Sequence, residues 1–311
     1  MTVLQLSLKL MLFIVVGFGA RKLKVLADGF DKMLTRFVMA VPLPCMIVNS
    51  FNIEYSVDNL VHTPLLIALS VGSMLGMGVI VYLATWKMRS REMRKTVRFA
   101  LLFTNFTFLG LPVVSEICGP EGVFNYVIFT LPIRIMFYGG ASVMLGRGGE
   151  KVDVKETVKK FLCEPVIAVF IGFILYVTQL KLPAILSSAI TTLGNMASPL
   201  GLILCGTIIA DADFRSVMQH PDAVIVALCR LTVIPAVAVG LFLLIGIDRE
   251  IIKNTVYFFA MPVASFLPTF LLRYDPEAKE ARVAGSCMVV VSTLLCIATI
   301  PIWTTLLDKF L

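Results

Sequence analysis

Charge is scarce in this chain: only 15% of its residues are charged, against about 25% in an ordinary soluble domain. Histidine is scarcer, with only His62 and His220, far apart in sequence. The seven cysteines form no CxxC pair and no Cys/His cluster. Cys45, Cys205, Cys229, Cys287 and Cys296 lie inside apolar runs, where they read as small hydrophobes rather than a disulfide framework or metal site. No GxSxG, HExxH or P-loop spacing occurs. No His, Asp or Glu holds a mid-span position from which it could activate a nucleophile, which argues against an intramembrane enzyme. No cofactor or metal is therefore expected. The lack of carboxylates inside the spans also argues against proton coupling through a central aspartate pair. Sodium held by backbone carbonyls, Ser and Asn stays open, and proton coupling by another route is not settled.

What the chain does have is apolar length. Of 311 residues, 58% are hydrophobic, and the mean hydropathy is +0.92. One soluble core could not hide that much apolar surface, so a polytopic membrane protein is expected. A helix needs roughly 20 mainly apolar residues to cross a bilayer. Ten stretches qualify: Val3–Ala20, Leu34–Ile53, Leu60–Trp86, Phe99–Cys118, Gly122–Leu145, Pro165–Leu180, Ala184–Ala210, Ala223–Ile247, Ile251–Leu272 and Val283–Leu307. The first could imitate a signal peptide, but it contains Lys9, lacks a clean cleavage site and runs into RKLK, so it reads as a span.

The net charge of +7 does not imply a nucleic-acid partner, because the basic residues crowd into short loops on one side. Those loops hold RKLK with Lys32 and Arg36, then KMRSREMRKTVR, then the stretch from Arg147 to Lys160, and finally Arg215, Arg273, Lys279 and Arg282. Short loops rich in Lys and Arg stay in the cytoplasm, which places both termini outside.

The polar loop 146–164 divides the spans five and five, giving a first repeat over 1–145, a cytoplasmic linker and a second repeat over 165–311. Met39-Ala40-Val41-Pro42-Leu43 in the second span matches Met196-Ala197-Ser198-Pro199-Leu200 in the seventh. Phe103 and Pro112 in the fourth are spaced like Phe259 and Pro268 in the ninth, and both matches need nearly the same offset, about 157 residues. Two repeats of five spans must lie in opposite senses, the inverted arrangement of many secondary transporters.

Interrupted helices in corresponding positions point to a transporter's binding site. The fourth span reads FTNFTFLGLPVV, with Thr104, Asn105, Thr107, Gly110 and Pro112. Pro112 removes a backbone donor, and the freed carbonyls must find partners in protein, water or substrate. The alternative is a plain proline kink with Asn and Thr bonded between helices. In the ninth span Pro262 and Pro268 bracket Ser265, and an inward half-helix N-terminus there would favour an anion. Arg134 in the fifth span and Arg230 in the eighth are candidate sites for an anionic substrate. The alternative is that each snorkels to an interface. Gly72, Gly76 and Gly78 in the third span, and Gly139 to Ser142 in the fifth, read as helix-packing faces.

These residues resemble the auxin efflux carrier family, whose bacterial members include malate and malonate permeases. The likeness rests on TNFTFLGLP from Thr104, SPLGLILCGTII from Ser198, RLTVIP from Arg230 and ARVAGSCMVVVSTLL from Ala281. It implies an all-α polytopic fold of ten helices in two inverted five-helix repeats, with the fourth and ninth helices broken and crossing near the membrane centre. Asn105, Pro112 and Pro262 or Pro268 would lie at the crossing, near the substrate carboxylate, with Asn49 as a further contact. The family is thought to work by an elevator motion against a dimeric scaffold. A homodimer in a bacterial inner (plasma) membrane is thus expected, carrying a small organic anion. The short central loop favours a metabolite such as a dicarboxylate over auxin. The resemblance assigns no role to Arg134. Rival readings are a sodium-coupled transporter like the bile acid symporters, and a membrane receptor that binds without moving its ligand.

Overall fold

The computed structural model describes residues 3–27, 29–53, 57–146, 163–211 and 214–310. The predicted linker thus lies almost wholly outside the described residues. The chain is helical throughout, with one isolated antiparallel bridge and, among the described residues, no strand. In order the helices are α1 (Val3–Lys22), α2 (Phe30–Ala40), α3 (Pro42–Ser50), α4 (Val57–Thr85), α5 (Arg91–Leu102), α6 (Leu111–Leu145), α7 (Glu164–Thr178), α8 (Ala184–Asn195), α9 (Ala197–Ala210), α10 (Phe214–Gln219), α11 (Pro221–Leu228), α12 (Ile234–Leu244), α13 (Arg249–Ala260), α14 (Leu267–Tyr274) and α15 (Lys279–Phe310). Two π-helical turns, Phe106–Gly110 and Cys229–Val233, lead into α6 and α12.

Among the described residues, six helical stretches are long and apolar enough to cross a membrane: Phe30–Ser50, His62–Thr85, Phe106–Leu145, Ala184–Ala210, Pro221–Leu244 and Lys279–Phe310. The second and seventh predicted spans are kinked rather than continuous. One breaks at Val41, ahead of Pro42, and the other at Met196. Proline opens the first turn of α3, α7, α11 and α14, where its missing N–H costs nothing. The boundary predicted between the fourth and fifth spans is a bend inside α6 at Gly119, whose φ of 66° suits glycine.

Two compact units divide the chain. The first takes residues 1–68, 107–131 and 159–211, and the second takes 69–106, 132–158 and 212–311. Each unit therefore draws on both halves of the chain. In the first unit α1 packs along α9 with backbones in contact. A Cβ at Gly17 would stand 2.1 Å from the Ile203 carbonyl, and one at Gly206 would stand 2.1 Å from that of Ile14. Only glycine at both places permits this approach. In the second unit α15 is the axial element, packed against α5, α11 and α14. Phe137 centres an aromatic cluster there with Phe99, Phe103, Phe106 and Phe270.

The glycine face predicted on the third span is a correction. Cβ atoms at Gly72, Gly76 or Gly78 would meet nothing within 4 Å, so among the described residues these glycines mediate no packing within the chain. The same holds for Gly140.

Candidate functional site

The second unit contains the junction of the two interrupted helices. Helix α5 stops at Leu102 because Phe103 turns extended, and α13 stops at Ala260 because Met261 does the same. The extended stretches pair through an antiparallel bridge between Thr104 and Val263. The Asn105 N–H donates to the Pro262 carbonyl at 2.8 Å, and the Ala264 N–H donates to Phe103 O at 3.2 Å. The remaining N–H of the bridge, on Val263, donates to Ser292 Oγ of α15 at 3.1 Å. The amide Nδ2 of Asn105 reaches Ser265 Oγ at 2.9 Å.

Ending two helices inside an apolar unit strands their last carbonyls. In a continuous helix Leu101 O would accept from the N–H of Asn105, which is given instead to Pro262 O. Phe258 O would accept from residue 262, which is proline and has no N–H. Arg230 supplies both. Its guanidinium donates from Nη1 to Leu101 O at 3.0 Å and from Nη2 to Phe258 O at 3.2 Å. A cation thus sits at the C-terminal, negative ends of two helix dipoles at once. The π-turn Cys229–Val233 carries this arginine. Pro235 deprives Leu231 O of its own helical donor, and Trp303 Nε1 fills the gap at 2.7 Å.

Arg134 and Arg230 are both fully buried, so neither snorkels to the surface. The Arg134 guanidinium lies 4.9 Å from the centre of the Phe106 ring, a cation–π geometry. Thr104 is 1% exposed, and its hydroxyl has no hydrogen-bond partner among the described residues. Three predicted polar residues, Thr104, Asn105 and Ser265, therefore meet at one junction with Pro262, while Pro268 opens α14 just beyond.

The remaining predicted residues belong to the first unit. Thr107 and Gly110 lie in the π-turn and Pro112 in the first turn of α6. Pro112 frees the Phe108 carbonyl, and Gly201 of α9 comes so close that a Cβ there would be 2.6 Å from that oxygen. Asn49 accepts from Thr191 Oγ1 at 2.9 Å and borders a cavity of about 530 Å³. Lys9, Ser50, Glu116, Asn195 and Ser198 also line that cavity. Lys9 donates to Glu116 across it at 2.8 Å, so a lysine predicted to sit near the outer end of the first span is ion-paired. Ser292, Trp303 and Asn195 were not singled out as site residues from sequence. Ser292 and Trp303 gain meaning only through partners from another segment.

Interrupted helices tied by a short bridge, with polar side chains and buried arginines inside an apolar helical unit, agree with the broken-helix sites of membrane transporters. The membrane transport protein family model matches residues 2–160 and again 151–304. The chain belongs to that family, the auxin efflux carrier family. It is also similar to an uncharacterized transporter of Methanothermobacter thermautotrophicus, 26% identical over 308 residues that cover 96% of this chain and 97% of that one.

Proposed function

We propose that this transporter carries a small organic anion, a carboxylate such as malate or malonate, by alternating access of elevator type. The observation that carries the reading is the balance of buried charge. Among the described residues the buried charged side chains are Arg134, Arg230 and Asp275. Asp275 caps the far end of α14, roughly 12 Å from the junction at 1.5 Å per residue. The junction therefore combines positive charge with the hydroxyls and amide of Thr104, Ser265 and Asn105. A carboxylate supplies what this set recognises, and a guanidinium forks onto it.

Support for the elevator comes from the composition of the two units. The first takes the segments predicted as spans one, two, six and seven with parts of three, four and five, and the second takes spans eight, nine and ten with the rest of three, four and five. Such a division by equivalent spans fits two inverted repeats feeding a scaffold and a moving body. A homodimer, an inner (plasma) membrane location, basic loops in the cytoplasm and both termini outside complete the reading.

Counterflow of labelled malate and malonate in liposomes, with and without sodium, tests it. Saturable uptake that other dicarboxylates compete for is the expected result. Folded protein with no accumulation above empty liposomes overturns the dicarboxylate assignment and directs the assay to monocarboxylates and indole acids. Strict sodium dependence favours mechanisms like those of the bile acid symporters.

A further inference from the structure

At the basic end of the second unit, α4, α5 and the end of α6 enclose a cavity of about 370 Å³. One side is cationic: Arg91, Arg94, Lys95 and Arg98 follow one another at helical spacing along a single face of α5. The cations are held in place rather than loose. Arg98 stacks 4.2 Å from the centre of the Tyr82 ring and donates to Thr85 Oγ1 at 2.8 Å. Arg94 donates to Met88 O at 3.0 Å, and Lys95 donates to Gly146 O at the end of α6. No Asp or Glu lines the cavity among the described residues.

The other side is apolar, formed by Gly78, Val81, Val143 and Met144. This wall runs into the outward face of α4, where Leu75, Val79 and Leu83 are each 60% exposed and Trp86 is 62% exposed. In a membrane protein such a face meets acyl chains, and a tryptophan at its end marks the headgroup level.

We propose that this cavity binds an anionic phospholipid, its phosphate against the α5 cations and an acyl chain along the glycine-bearing face of α4. A free phosphate would use the cations but have no need of the apolar wall. Basic pockets between helices at the cytoplasmic surface suit anionic headgroups, and a fork-shaped guanidinium grips phosphate at two points. The inference rests on the proposed orientation, in which this end faces the anionic cytoplasmic leaflet, and needs nothing of the substrate reading. It also gives Gly72, Gly76 and Gly78 a use, because the open space beside them is room for a chain.

The test is lipid retention by the full-length protein in detergent, counted by native mass spectrometry with phosphatidylglycerol or phosphatidylcholine added. Phosphatidylglycerol is expected to be retained selectively. R94Q/K95Q is expected to weaken its binding by about tenfold or more, at about 1 kcal/mol per cation, and R273Q/K279Q to leave it unchanged. Gly78→Leu adds a side chain where a Cβ meets open space, so it preserves packing and the cations while filling the acyl groove. It is expected to lower phosphatidylglycerol retention without altering the weak binding of glycerophosphate. Equal retention of the two lipids, or wild-type retention by R94Q/K95Q, overturns the proposal. So does a Gly78→Leu variant that binds phosphatidylglycerol normally while glycerophosphate displaces it, which would mark a site for a soluble anion. Because no transport is measured, these outcomes leave the carboxylate reading to its own assay.

Discussion

Replacing Arg230 with alanine tests whether the junction depends on a cation built into the protein. The substitution removes two charge-assisted hydrogen bonds, to Leu101 O and Phe258 O, and strands both carbonyls where the side chain was fully buried. An unsatisfied buried acceptor costs about 1–3 kcal/mol, so the pair costs about 2–6 kcal/mol. Relief of a buried guanidinium offsets part of this, leaving roughly 3 kcal/mol, or about a hundredfold in the equilibrium between intact and opened junction. By the size scaling of unfolding entropy this lowers the melting temperature by on the order of 5–10 °C. Arg230→Lys keeps the charge but lacks the planar fork that spans two carbonyls, so it should fall between the two. Melting in detergent and counterflow in liposomes read the effect. Millimolar guanidinium is expected to restore part of both in Arg230→Ala, because the vacated volume and the two carbonyls suit that ion. Wild-type stability and flux in Arg230→Ala would refute the reasoning. Loss that guanidinium does not repair, or that sodium repairs equally well, would reduce Arg230 to a packing residue or to one of several acceptable cations.

Asn105→Ala loses the amide contact to Ser265 and keeps the backbone N–H to Pro262 O. Folding should weaken by about 1 kcal/mol while transport is abolished, and full counterflow in that variant would remove the junction from the mechanism. Arg134→Gln keeps a polar side chain against Phe106 and should raise the apparent substrate constant more than it lowers maximal flux. An unchanged constant assigns Arg134 to structure. Gly206→Leu forces a side chain into the Ile14 carbonyl and should destabilise the α1–α9 contact by roughly 1–3 kcal/mol. Gly240→Leu, where a Cβ meets open space, is its control in thermal melts.

How much of this was legible in the sequence depends on the range of the interaction concerned. Apolar runs announce helices because hydropathy is a local sum, and the family likeness follows from short motifs. The interruption at Met261 was legible from Pro262, because a missing N–H is a property of the residue itself, whereas Pro112 marked the fourth span as irregular without placing its break at Phe103. The kink at Met196 was hidden inside a continuous apolar run, where composition carries no phase information, whereas the one at Val41 stood beside Pro42 without being read as a break. Gly72, Gly76 and Gly78 were misread for a similar reason: glycine spacing reports that close approach is permitted, not that a neighbour is present. At Gly17 and Gly206 the neighbour exists, and the spacing alone is no more suggestive.

The roles of the arginines were beyond the sequence for a sharper reason. Arg134 and Arg230 were paired as equivalent anion sites because each is a cation within an apolar run. The hydrogen bonds separate them. Arg230 serves the carbonyls of Leu101 and Phe258, which end α5 and α13. Its partners exist only because the chain breaks two helices and joins them at one place. Charge at the junction therefore has two tasks. Helix ends directed inward gather negative potential, which would repel an anionic substrate unless something cancelled it. With Arg230 engaged on those ends, Arg134 over the Phe106 ring is the cation proposed to act on the anion's side of the balance. On this argument loss of Arg230 should weaken anion binding even though its guanidinium is bonded to backbone carbonyls, and the two substitutions should combine non-additively in a double-mutant cycle.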